Sequence, residues 1–479
     1  MASFRISRVA MLRRSRAMVS SRRLWKSRLV FWVGAITLGV ISVGFAIAAD
    51  YAQSLFRTIT AADGGQFIPL VLTPAGFVLC AYLALRFFPG AQGSGIPQAI
   101  AAQTLTEPDD RRWLLSLRMI FGKIALTVVG LFCGASIGRE GPTVQVGSAI
   151  MLQAASVGGM AHSRGLILAG SAAGIAAAFN TPLAGIVFAI EEMSRSYRAR
   201  TNGVVLSAVI IAGIASLSLL GNYTYFGISE SVSDLPRDLW LVLVCGLAGG
   251  VMGALFSRMV IILTRRIRRW KANGDMMRRS LLQALVAGVI TAVIGFSYGG
   301  LTFGTGYEEA RASIEGEALP LTYFFAKLIA TVAATVSGIP GGLFAPSLAV
   351  GAGVGSTLAL ILGASVGNAT ILGMAAYFAG VVQSPMTAFV IIVEMTGSHA
   401  NIVPIMAASM IGYGTARFIS PEPLYETLSR FFIADGLRMR RARAQAAKEA
   451  EDSNVGAREG GTGPGPNQSP PQTPPATKG

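Results

Sequence analysis

Glu140 is the one acid between Asp110 and Glu191, and it sits in GASIGREGPTVQVG, Gly134 to Gly147, within an apolar stretch suited to a membrane interior. An ionisable side chain at membrane depth is costly, so one that is retained usually lines a water-filled path or a substrate site. Glycines at 134, 138 and 141 interrupt the helix there, and Pro142 suits the first position of a new one. A helix that restarts in hydrocarbon leaves its first amides unpartnered, and the positive end of its dipole favours an anion. The same residues also permit kinks and close packing, both common in transmembrane helices. Two further segments, Ser94 to Pro97 and Leu343 to Pro346, combine glycine nearby with proline at an expected helix start. Three such ends meeting at one place would hold an anion and offer nothing to a metal.

The elements that must position these residues read as membrane helices. Hydrophobic residues make up 52% of the 479 and charged ones 13%, which describes an all-α polytopic membrane protein rather than a soluble domain. Cys80, Cys133 and Cys245 are scattered through apolar stretches and there are two histidines, so neither a disulfide framework nor a metal site is indicated. The net charge of +16 would suggest nucleic acid in a soluble chain. Here the basic residues collect at the edges of apolar spans, the positive-inside pattern, and no nucleic-acid partner is expected. Residues 1–28 carry nine Lys or Arg and no acid, which puts the amino terminus in the cytoplasm. Leu29 to Ala49 follows as a first span, longer than a signal-peptide core.

Asp50 to Gln66 reads as an outside loop, residues 67–88 as a return span, and Gly93 to Gln103 as a short helix with Ser94 as cap and Pro97 in its first turn. A polar loop, Thr104 to Arg112, precedes spans at 113–134, 142–158 and 165–180. A short apolar helix from Pro182 then ends in Glu191 and Glu192, before the basic edge at Arg195, Arg198 and Arg200. Another crossing from 203, a polar loop near Asn222 to Arg237, and a long helix from Leu239 ending at Arg265, Arg266, Arg268, Arg269 and Lys271 come next. Spans continue to 436, and residues 437–479 read as a disordered cytoplasmic tail with no folded regulatory domain.

Setting Lys123 against Lys327 aligns Thr127 with Thr331, Gly134 with Gly338, Gly138 with Gly342, Pro142 with Pro346 and Gly147 with Gly351, all at an offset of 204. Further on, Pro182 matches Pro385 and Glu191 matches Glu394 at an offset of 203. The chain is thus two repeats, about 29–222 and 233–436. The first span of one begins at a basic edge whereas its counterpart ends at one, so the repeats are inverted. Inverted-repeat transporters place their substrate near the midplane, where broken helices point their starts at an anionic group.

GSGIP (93–97), GREGP (138–142) and GGLFAP (341–346) resemble, in that order, the signature segments of the CLC chloride channels and transporters, and PLY (423–425) fits that family's last helix. The resemblance implies the CLC-like fold with broken and tilted helices, and a homodimer with a separate anion path in each subunit. It implies that Ser94 and Tyr425 offer hydroxyls to a central anion with the amides of Leu343 and Phe344, and that amides near Gly141 and Ala345 serve an outer site. Glu140 would be the gating glutamate, and Glu192 sits where proton-coupled members carry their inner proton relay. A carboxylate competes with chloride for the same amide donors and loses its hold once neutralised. Arg139 is read as an outward or dipole-satisfying charge. Glu394 is read as structural, and Lys123 and Lys327 as sources of positive potential or partners of helix ends. Gln98 and Ile100 stand where some relatives carry acids, and Ser94 argues against the fluoride-exporting branch.

The expected function is chloride/proton antiport across a bacterial inner membrane, without a cofactor or metal and with both termini cytoplasmic. The alternative on the same fold is a passive chloride channel. An intramembrane hydrolase would need a second acid beside Glu140 or a nucleophile with a base, and neither pattern is visible.

Overall fold

The computed structural model describes residues 22–160, 163–193, 202–221, 224–227 and 235–459. Two compact units are distinguished, Met1–Ile433 and Ala434–Gly479. Among the described residues the first is built from helices, eight of them long and apolar enough to cross a membrane. In chain order the α-helices, short and long, begin with α1 (Arg22–Ala61), α2 (Pro69–Arg86), α3 (Ile96–Thr104), α4 (Pro108–Arg112), α5 (Leu117–Phe132), α6 (Glu140–Gly158), α7 (Ser163–Phe179) and α8 (Pro182–Phe188), the last running into a π turn at Ala189–Met193. After α9 (Asn202–Leu220) come α10 (Leu235–Ala272), α11 (Met276–Ser297), α12 (Tyr307–Ile314), α13 (Tyr323–Val336) and α14 (Phe344–Leu362). Then follow α15 (Val366–Val382), α16 (Pro385–Thr396), α17 (Ile402–Ile419) and α18 (Leu424–Glu459).

The expected two inverted repeats are present, α1 to α9 answering to α10 to α17, with the short α4 unmatched. Residues equivalent by the sequence offset bond each other reciprocally, as a two-fold axis requires. Gly138 N–H donates to Gly342 O at 2.7 Å and Gly342 N–H to Gly138 O at 2.6 Å. Glu191 accepts the amides of Met386 (3.1 Å) and Thr387 (2.6 Å) at the start of α16. Its counterpart Glu394 accepts those of Leu183 (3.2 Å) and Ala184 (2.7 Å) at the start of α8. Each carboxylate satisfies amides that the other repeat's helix start leaves open. Within each repeat α6 lies on α7 and α14 on α15 at very close range. A methyl on Gly147 would strike the carbonyl of Gly170, and one on the equivalent Gly351 would meet that of Gly373 at 2.9 Å.

Several boundaries differ from the sequence reading. The stretch Asp50 to Gln66 is not a loop: α1 continues through Ala61, and its 40 residues make a rod of about 60 Å, twice the hydrocarbon thickness. Thr104 to Arg112 contains α4. Ser94 is not a helix cap, because Gly95 takes that place at φ 110° with its amide on Gln98 Oε1 at 2.9 Å. Helices α6 and α14 begin two residues before Pro142 and Pro346, so those prolines occupy the third position rather than the first. The tail also departs from the expectation, for α18 stays helical through Glu459. Its Ala, Arg, Lys and Glu are strong helix formers, and Asp435 pairs with Arg438 one turn on at 3.7 Å. Residues 1–21 and 460–479, with His162, Arg195, Arg198, Arg200 and most of the loop from Asn222, lie outside the described residues.

Candidate functional site

Three helix starts converge near the two-fold axis. The loop before α3 is tied to the loop before α14, with Gly93 N–H on Ile339 O at 3.1 Å and Gly341 N–H on Gly93 O at 3.2 Å. The Gly138 and Gly342 pair ties the start of α6 to the same loop. Ser94, Gly141 and Gly342 are in direct contact: a methyl on Gly141 would lie 2.5 Å from Ser94 Oγ and 3.3 Å from Gly342 Cα. The first intrahelical amides here are Thr143, bonded to Arg139 O at 2.9 Å, and Ser347, bonded to Leu343 O at 3.0 Å. The amides of Glu140 and Gly141, and of Leu343, Phe344 and Ala345, therefore precede the helical ladder and point out of the helix starts.

Glu140 is wholly buried. Its carboxylate folds back against Gly138, beside Ala345. The amide of Ala345, its own amide and the Arg139 guanidinium are the nearest positive groups, and neither carboxylate oxygen completes a hydrogen bond. Phe344 occupies the position equivalent to Glu140 in the second repeat. Its ring lies 4.8 Å from Phe378 edge-on, 6.2 Å from Phe179 stacked, and 5.9 Å from Tyr425. Tyr425, on the first turn of α18, is buried with its hydroxyl turned toward Ser94 and neither hydroxyl in a completed bond. Tyr425 lies within electrostatic reach of both Glu140 and Glu192.

The two adjacent acids of the π turn have different surroundings. Glu191 caps α16, whereas Glu192 is turned inward, buried, and accepts the Ser384 hydroxyl at 2.6 Å. Ser384 escaped the sequence reading, although it directly precedes Pro385 and is therefore the residue before a helix start. Asp50 escaped it as well. Arg139 is buried and donates to Asp50 at 2.6 Å and to Ala46 O at 2.7 Å, both on α1. These residues line a cavity of about 480 Å³ together with Tyr225, Thr305 and Tyr307, so Arg139 is held between this mouth and Glu140.

Lys123 and Lys327, both fully buried, do similar work in their repeats. Lys123 Nζ donates to Ala91 O at 2.8 Å and Gly93 O at 2.5 Å, and Lys327 Nζ to Thr302 O at 2.9 Å and Gly304 O at 2.8 Å. Each ammonium gathers the carbonyls of the loop before a short helix. Gln98, where an acid was noted as missing, uses its amide instead, accepting from Gly95 and donating to Gln92 O.

Interrupted helices from oppositely directed halves, with their open amides around a buried carboxylate, define an inverted-repeat membrane transport fold. Residues 76–417 match the voltage gated chloride channel family, and this chain belongs to that family. It is 30% identical over 447 residues to the H+/Cl− exchange transporter ClcA of Citrobacter koseri, covering 88% of this chain and 91% of the relative. To the ClcA exchanger of Salmonella gallinarum it is 31% identical over 448 residues, with the same coverage. Among solved structures, a slow cyanobacterial Cl−/H+ antiporter superposes with a TM-score of 0.74 at 23% identity, over 85% of this chain and 98% of that one. A CLC-type fluoride/proton antiporter gives 0.72, also at 23% identity, over 85% and 99%.

Proposed function

We propose that this protein is a secondary active antiporter that exchanges chloride for protons across a bacterial inner membrane, working as a homodimer with a complete ion path in each chain. The observation that carries the reading is that the starts of α6 and α14, one from each repeat, bring their open amides to one place beside Ser94 of the loop before α3, and that the carboxylate among the described residues there is Glu140. Chloride and the ionised carboxylate are alternative occupants of the same donors. Protonation of Glu140 removes its charge, releases it from the amides and admits the anion, so proton and anion movements are linked. Ser94 and Tyr425 supply the hydroxyls of a central site with the amides of Leu343 and Phe344, and the amides near Gly141 and Ala345 supply an outer one. Glu192, buried and held by Ser384, is the inner proton acceptor. The relatives named as H+/Cl− exchangers support chloride and proton as the pair; the fold alone does not choose the anion, since a fluoride/proton antiporter shares it.

The test is reconstitution into liposomes with simultaneous recording of chloride and pH. A chloride gradient should drive protons uphill. Chloride flux with no proton pumping would replace this reading with a passive channel on the same fold.

A further inference from the structure

Helix α10 carries a continuous stripe of exposed apolar side chains, among them Leu247, Val251, Leu255 and Ile262. Arg258 breaks this stripe while also exposed. It has no hydrogen-bond or ion-pair partner among the described residues. Arg265, two turns on, lies on the same face about 10 Å further along the axis. The two arginines line one cavity of about 300 Å³, whose walls include Ile262 and Ile419 and whose other polar members are Ser420 and Glu422. Glu422 is already engaged by Arg265 at 2.6 Å. Two guanidinium groups against one carboxylate leave a net positive charge, carried by Arg258, in a niche with apolar walls on a membrane-facing helix. A charge in that position calls for an anion, and an arginine fork suits a phosphate. The apolar walls and the stripe leading away from the niche suit an acyl chain.

We propose that this niche binds the headgroup phosphate of an anionic glycerophospholipid, gripped by Arg258 with Arg265, with a tail laid along α10. A zwitterionic lipid brings its own cation to the same place and is held less well.

The test is native mass spectrometry of the full chain, delipidated in a non-ionic detergent and titrated with phosphatidylglycerol or phosphatidylcholine. One phosphatidylglycerol per chain should be retained in preference to phosphatidylcholine. Arg258→Leu, which restores the apolar stripe, should bind it about tenfold more weakly, equivalent to about 1.4 kcal/mol, and Arg258→Lys should recover part of the loss. Glu422→Gln, which removes the competing carboxylate and leaves α10 unaltered, should tighten binding. Equal affinity of the parent and Arg258→Leu, equal retention of the two lipids, or no change in Glu422→Gln overturns the proposal. So does displacement of the lipid by millimolar inorganic phosphate, which would make this a site for the free ion.

Discussion

Glu140 lies against Gly138 and Ala345 whereas Glu192 accepts from Ser384, so their substitutions should fail differently. Under the proposed exchange, Glu140→Gln removes both the competing charge and the proton carrier. Chloride flux should persist, lose its acceleration at acid pH and drive no protons; in liposomes, uphill proton movement at the parental rate would contradict the assignment. The sign follows from the competition: acid neutralises the carboxylate and frees the amides, and glutamine is neutral at every pH. Glu192→Gln leaves the outer machinery intact, so chloride movement should stay pH-dependent while proton pumping stops. Ser94→Ala combined with Tyr425→Ala takes away two hydroxyl donors. Loss of even one hydrogen bond to a charged ligand, worth about 1.5–3 kcal/mol, should weaken chloride binding at least about tenfold by titration calorimetry. Glu140 was legible in the sequence because an acid flanked by glycine and proline in an apolar run has few roles. Asp50 was not, because its partner Arg139 lies far along the chain and the stretch holding it, with two acids and one arginine, reads as a loop rather than as the second half of a long helix.

At the scale of the helix, what matters is which groups complete each start. The caps made by Glu191 and Glu394 cross between repeats, so they tie α8 and α16 together as well as finishing them. Glu394→Ala should lower stability by about 1–2 kcal/mol, the range for losing a capping side chain, and a similar loss is expected from Glu191→Ala; thermal unfolding in detergent reads both. Gly141→Ala acts on a different requirement, since its methyl would sit 2.5 Å from Ser94 Oγ. The expected outcome is folded protein with chloride binding lost, checked by the same calorimetry. The repeated glycine and proline spacing exposed the broken helices and their pairing, because those residues are chosen by backbone geometry and survive divergence of the side chains around them. Exact starts were less legible. Proline tolerates any of the first helical positions, none of which needs an amide for the ladder, so Pro142 and Pro346 marked the neighbourhood of a start and not its residue. The extension of α18 past Leu437 was hidden for another reason: a helix that buries no apolar face leaves no periodic signal and resembles a charged tail.

For the molecule as a whole, the duplication with reversed basic edges was enough to specify two inverted halves, and the reciprocal bonds describe how those halves close on each other. The sequence offset alone could not show that the axis passes through the site. That follows from Gly138 and Gly342, equivalent residues that bond each other within reach of Glu140 and Ser94. Many transporters of inverted-repeat design switch access by rocking one half against the other around the substrate. A seam stitched by main-chain hydrogen bonds at the very centre leaves little freedom for such a hinge. Spin labels on opposite repeats should therefore keep their separation when the pH falls, even as turnover changes. Traffic through this protein would then be governed by the swing of individual side chains inside a casing that stays shut.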